Sequence, residues 1–294
     1  MLLVFINVVK ERDILREAII GGMIMNNYWA KRLIDEQNKI SDRTIAEAQA
    51  QLRKYYLTAS KTIIKEFELL YEKVLRAIAE GKEITPAWLY TMDKYWELQA
   101  QLKSTLTSLG DKENKLLSKK FEKEYKDIYN SIPLKSNKMF TTLGETAKSV
   151  VNRPWTPDGI HFSQRIWKNT EKLVETLNEE LVNCVITGKK TTQLKKKLME
   201  RFDVSYSQAD MLVRTEMAHI QTQASVDKYK DAGLTRYEFL ADTDERTCSV
   251  CGALDGKVFS FAEAQVGVNM PPIHPRDRCS IIPVVDYKEI QYKK

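Results

Sequence analysis

The chain has 294 residues, with 46 Lys and Arg against 40 Asp and Glu, a net charge of +6, and 43% hydrophobic side chains. With a mean hydropathy of −0.42, it can build a packed core of one large or two ordinary domains, and no apolar run is long enough to span a bilayer. The mild basic excess allows contact with nucleic acid without requiring it.

The opening MLLVFINVV is apolar but has no basic n-region, and Lys10, Glu11, Arg12 and Asp13 follow at once. It is too short for a membrane span and is not a signal peptide, so residues 1–25 read as an N-terminal extension. From Ser41 to Glu80 apolar residues recur at steps of three or four: Ile45, Ala48, Leu52, Tyr55, Ala59, Ile63, Phe67, Leu70, Val74 and Ile78. That spacing predicts one helix of roughly 60 Å, stopped at Gly81. Thr85 as N-cap and Pro86 in the first turn open a second helix ending at Gly110, and a third runs from Asp111 towards Pro133. Residues 26–133 are therefore expected to form a long-helix domain, an elongated antiparallel bundle or hairpin. Its Lys/Glu alternation marks a solvated face.

The pattern changes at Pro133, and residues 134–294 read as a second domain. The run RPWTPDGIHF, residues 153–162, suits a turn or short hairpin, with His161 a hairpin residue beside Trp155. Ser163 is the expected cap of a helix stopped by Gly188. Thr192 then starts a short helix to about Phe202, and Ser207 a longer one to Gly233. YEFLADT alternates imperfectly as a strand, with further short strands expected at Lys257–Phe259 and Ile281–Val285.

Three of the four cysteines, Cys248, Cys251 and Cys279, fall near the end with His274, as C-x2-C, a gap of 22 residues, and H-x4-C. Three sulfurs and one imidazole nitrogen form a common structural zinc set, closed to water if all four bind. Gly252 would supply a tight backbone after the first pair, and Pro271, Pro272 and Pro275 would stiffen the approach to His274. A redox C-x-x-C, a disulfide framework and unrelated buried thiols are the competing readings. Cys184 sits at an apolar helical position and reads as a small core residue. The fold class expected is α+β, predominantly helical: an elongated N-terminal bundle, then a helix-rich domain with a small zinc-stabilised sheet.

Usual catalytic signatures are missing: there is no phosphate loop, no G-x-S-x-G, no H-E-x-x-H and no dinucleotide fingerprint. Arg214, Glu216 and His219 could share a surface as an acid/base group, but an ion pair from Arg214 to the run Asp242, Asp244 and Glu245 accounts for them more simply. The cluster Lys189, Lys190, Lys195, Lys196 and Lys197 is the densest basic patch. It is either a solvated helix face or a phosphate contact, with Lys195, Lys196 and Lys197 the candidates for DNA.

Four ordered blocks, RPWTPDGIHFSQRIW, LVRTEMAHIQTQA, EFLADTDERTCSVCGALDGKVF and NMPPIHPRDRCSIIP, together resemble the phage head morphogenesis family, the minor head proteins related to phage Mu protein F. The family's HP-x-C-R-C ending stands here as HPRDRC, with Asp277 at one cysteine position. The resemblance implies that Arg214, Glu216, Asp244 and Arg246 are fold-defining polar groups. It further implies a non-enzymatic minor capsid protein in the virion interior, at the portal vertex, present in the host cytoplasm during assembly. Its expected partners are the portal protein, the scaffold or major capsid protein, and phage double-stranded DNA, with no membrane. The role implied is head assembly and DNA packaging or ejection. The alternative is a zinc-containing nucleic-acid-binding or -processing protein, or a phage-borne effector.

Overall fold

Helix α1 extends over Asn27–Ala79, longer by some four turns than the apolar pattern alone marks out. The computed structural model describes residues 27–134 and 140–284; the extension expected over 1–25 and Val285 of the last expected strand lie outside them. After α1 come α2 (Pro86–Tyr90), α3 (Asp93–Ser131), α4 (Phe140–Val151), α5 (Phe162–Ile186) and α6 (Thr191–Asp231). Then follow β1 (Arg236–Leu240), α7 (Ser249–Leu254), β2 (Val258–Ser260) and β3 (Ser280–Val284). The protein is thus predominantly helical with one small antiparallel sheet, in the strand order β2-β1-β3.

Several expected boundaries are corrected. Gly110 does not end a helix: α3 passes through it without a break. The reason is steric, since a Cβ at Gly110 would lie 2.8 Å from Cζ3 of Trp167, so the residue is small to let the indole in. Likewise α6 is one helix rather than two. No Gly or Pro interrupts residues 191–231, and Leu198, Phe202, Ser205, Ala209 and Leu212 keep one buried face running through the expected gap. Helix α4 was not anticipated. His161, expected in a hairpin, is the N-cap of α5: its ring accepts the Ser163 N–H, and the Gln164 side chain accepts the N–H of His161. Thr85 does cap α2, accepting the N–H of Trp88 at 3.1 Å.

Two compact units are assembled from non-adjacent stretches. One comprises Glu47–Leu117 and Ile160–Leu212. Its apolar stripe on α1 runs through Ala48, Leu52, Tyr56, Ala59, Ile63, Phe67, Leu70, Val74 and Ala77, displaced from the expected one at Tyr56 and Ala77, since Ile78 is exposed. The other unit takes in, among the described residues, 27–46, 118–134, 140–159 and 213–284. Here, beyond Leu33, the buried face of α1 turns polar: Gln37, Ser41 and Thr44. Gln37 donates to Ser225 at 3.1 Å, while Ser41 bonds the Glu124 carboxyl and Gln221. Tyr125 and Tyr129 donate to Asp227 and Asp231 at 2.5 and 2.6 Å. Below this seam Leu33, Ile132, Val226, Tyr229, Tyr237, Met270 and Ile281 form the apolar core against which the sheet packs.

Candidate metal centre

The centre is built around β1, the middle strand. Phe239 is fully buried, faces Ile281 of β3 across the ladder, and packs against Cys251 and Cys279. The chain leaves β1 into the DTDERT loop. There Arg246 and Thr247 direct their N–H groups to the side chain and carbonyl of Asp244, and Asp244 N–H bonds the Thr247 hydroxyl. That knot delivers Cys248 to the N-cap of α7, where its sulfur accepts the N–H of Cys251 at 3.3 Å. One helical turn then turns Cys251 inward, to 2% exposure. Gly252 is an ordinary helical residue; the left-handed glycine that reverses the chain is Gly256, at φ 70°.

From the other side comes the segment 271–279. The His274 ring lies with Nε2 3.4 Å from the Cys251 sulfur and Nδ1 3.0 Å from the Pro275 carbonyl. A carbonyl only accepts, so Nδ1 carries a proton, and Nε2 is the ring nitrogen turned towards the sulfurs, the one left to ligate a metal. The donor atoms of Cys248, Cys251 and His274 lie within 4.8 Å of one another, and so do those of Cys251, Asp277 and Cys279. All four cysteines are free thiols. The Cys248 thiol is drawn down to about 7, first by the Cys251 N–H. Burial pushes Cys251 up to about 11, and burial followed by Asp277 pushes Cys279 further still. Of the four residues expected as ligands, Cys248, Cys251 and His274 thus come together, while Cys279 joins Cys251 in a second group with Asp277; soft sulfurs and an imidazole are donor types that suit zinc.

The remaining polar candidates surround this centre. Asp244, an expected fold-defining group, is held by Arg278, whose two terminal nitrogens reach it at 2.9 and 2.7 Å, and by Arg246 at 3.0 Å. Arg278 also pairs with Asp242. Arg278, a residue outside the expected set, thus clamps the acidic run together with Arg246. Glu216 accepts the indole N–H of Trp155 at 2.8 Å, and the ring stacked on Trp155 is His219, with centroids 4.3 Å apart and planes 11° apart. His219 is buried, and that burial, with Arg153 nearby, lowers it to about 3. An imidazole so reluctant to take a proton is a poor general base at neutral pH, so Glu216 and His219 serve as a seat for Trp155. One residue from Arg214 along the same helix, Thr215 accepts the N–H of Arg276 at 3.1 Å. The four sequence blocks consequently meet in a single network: the Trp155 turn on α6, α6 on the Arg276 turn, that turn on the DTDERT loop and on the thiols.

Elsewhere, in the other unit, Lys195 is paired with Glu68, and Lys197, with Arg201, holds the buried Glu180. Lys196 is exposed. Two of the three lysines considered for DNA thus have acidic partners already.

These observations define a helix-led protein with a small antiparallel sheet and a Cys/His cluster beside it. Residues 175–282, from within α5 into β3, match the family model described as phage Mu protein F like protein, a match that supports the phage head morphogenesis family. The chain is also similar to the NAD(+)--arginine ADP-ribosyltransferase EFV of Enterococcus faecalis (strain ATCC 700802 / V583), 27% identical over 152 residues. That match takes in 47% of this chain and 31% of the relative, so the chain spans less than a third of the relative's length. No solved structure matches. No described helix is long and apolar enough to cross a membrane.

Proposed function

We propose that this phage head morphogenesis protein is a minor, non-enzymatic component of a tailed-phage head. In this reading it docks on the portal inside the procapsid, alongside scaffold or major capsid protein, and acts in head assembly and in the packaging or ejection of DNA. The match of residues 175–282 to the Mu F-like family carries the reading. The contact network supports it, because the groups that might have been catalytic are spent on holding segments together: Glu216 and His219 on Trp155, Asp244 on Arg246 and Arg278. Co-expression with the portal protein of the same phage should yield a complex that survives size exclusion, and proteomics of purified heads should detect the chain at low copy. Heads that lack it, or a chain found only on the outer shell surface, would refute the proposal. Transfer of ADP-ribose from NAD+ to an arginine-bearing acceptor is expected to be absent, and measurable turnover would favour an effector instead.

The same reading gives the knuckle one structural zinc ion, with Cys248, Cys251, His274 and Cys279 as the residues that would hold it. Bound zinc would supply a cross-link between α7 and the 271–279 segment, contributing to folding directly.

A further inference from the structure

We infer that Asp277 is a positioning residue for the knuckle and not one of its donors. The inference rests on the metal reading above and concerns how the chain selects four donors from five. Two groups of donor atoms overlap at Cys251, one with Cys248 and His274 and one with Asp277 and Cys279. A tetrahedral ion takes four, so one of the five residues must have other work.

Asp277 has it. The residue is 5% exposed, and both carboxyl oxygens bond backbone: Oδ2 accepts the Ile273 N–H at 2.6 Å and Oδ1 the Cys279 N–H at 2.9 Å. Its own N–H bonds the His274 carbonyl at 3.2 Å. One side chain therefore closes the turn 273–279 at both ends, with His274 one residue after the first closure and Cys279 at the second. Pro275 limits the backbone within the turn, and Arg276 adopts a left-handed φ of 60° while its N–H is held by Thr215 of α6. These restraints fix where the imidazole and the last sulfur point before any ion arrives.

Charge leads to the same assignment. Three thiolates and a neutral imidazole already exceed the charge of a divalent cation by one. With Asp277 in place of His274 a second charge would stand uncompensated, whereas a carboxylate bonded to two N–H groups is stabilised without the ion. Asparagine could not do this, because its amide nitrogen would meet one of the two N–H donors.

Cobalt(II) titration of the full-length chain tests the assignment, with zinc back-titration to give affinity. The wild-type spectrum should show sulfur-to-cobalt charge transfer from three thiolates. Asp277→Asn should keep that spectrum at saturation but bind about 10–100-fold more weakly, the usual cost of losing a group that orients ligands. Unchanged affinity, or a spectrum altered in ligand number, would overturn the inference. No cobalt–thiolate band in the wild type would instead remove the metal reading itself. If Asp277→Asn does not fold, amide exchange in the chelator-treated wild type decides: the Ile273 and Cys279 N–H groups should be protected without metal, and exchange at open-chain rates would overturn the brace.

Discussion

Alanine at Gly110 and alanine at Gly144 are the same substitution in the interiors of two helices, and they should have opposite signs. A helical glycine costs about 1 kcal/mol relative to alanine, because the backbone loses more freedom on folding. At Gly144 an added Cβ meets nothing within 4 Å, so Gly144→Ala should recover close to that full amount. At Gly110 the Cβ would fall 2.8 Å from Cζ3 of Trp167 and 3.2 Å from both its Cε3 and the Thr170 hydroxyl. A rigid, half-buried indole yields less readily than a flexible chain end, and overpacking of this kind costs about 1–3 kcal/mol. The propensity gain offsets only part of that, leaving Gly110→Ala destabilised by about 1 kcal/mol and the two variants about 2 kcal/mol apart. Urea unfolding followed by far-ultraviolet circular dichroism measures both midpoints. Trimming the indole with Trp167→Leu in the Gly110→Ala background should show the favourable coupling expected of neighbours. If Gly110→Ala raises the midpoint as much as Gly144→Ala does, the steric account of Gly110 is wrong.

Further expectations concern pH, metal and salt. His219 sits at about 3 in the folded chain against an ordinary value near 6.5. The unfolded chain therefore binds the extra proton first, and stability present above pH 6.5 is lost as pH falls towards 3, at up to roughly 1.4 kcal/mol per unit. His219→Phe, which keeps a ring on Trp155, should flatten that part of the profile, and a parallel slope would contradict the assignment. Elemental analysis should find about one zinc per chain, and Cys251→Ser or a chelator should lower melting and expose residues 240–285 to protease; an unchanged melting profile in both cases would refute a structural metal. If the lysine patch touches DNA, Lys196→Gln should lower the salt slope of binding by about one, with less effect from Lys195→Gln and Lys197→Gln, whose cations already face Glu68 and Glu180.

Apolar periodicity located the cores of the long helices, but it located their ends badly. The start of α1 was hidden because its inward face there is largely Gln37, Ser41 and Thr44, and the partners of Gln37 and Ser41 come from residues 124, 221 and 225. Nothing local announces that a polar residue will be satisfied from so far along the chain. Gly110 read as a terminator because its actual reason, the Trp167 ring, lies 57 positions away. The knuckle was far more legible, since cysteine and histidine spacings carry chemistry that few other arrangements explain. What spacing could not give was the supporting cast. Arg278 and Asp277 are unremarkable in a basic, polar run, and only folding shows one gripping Asp242 and Asp244 and the other closing the turn.

The polar seam on α1 fixes alignment along the helix axis. Leucine stripes pack almost as well after a slide of one turn, about 5.4 Å. Hydroxyls and amides do not. Such a slide would strand Gln37 away from Ser225 and Ser41 away from Glu124 and Gln221, leaving Glu124 with both oxygens unanswered where one already has no partner. The seam thus works as a key cut for one position of the lock.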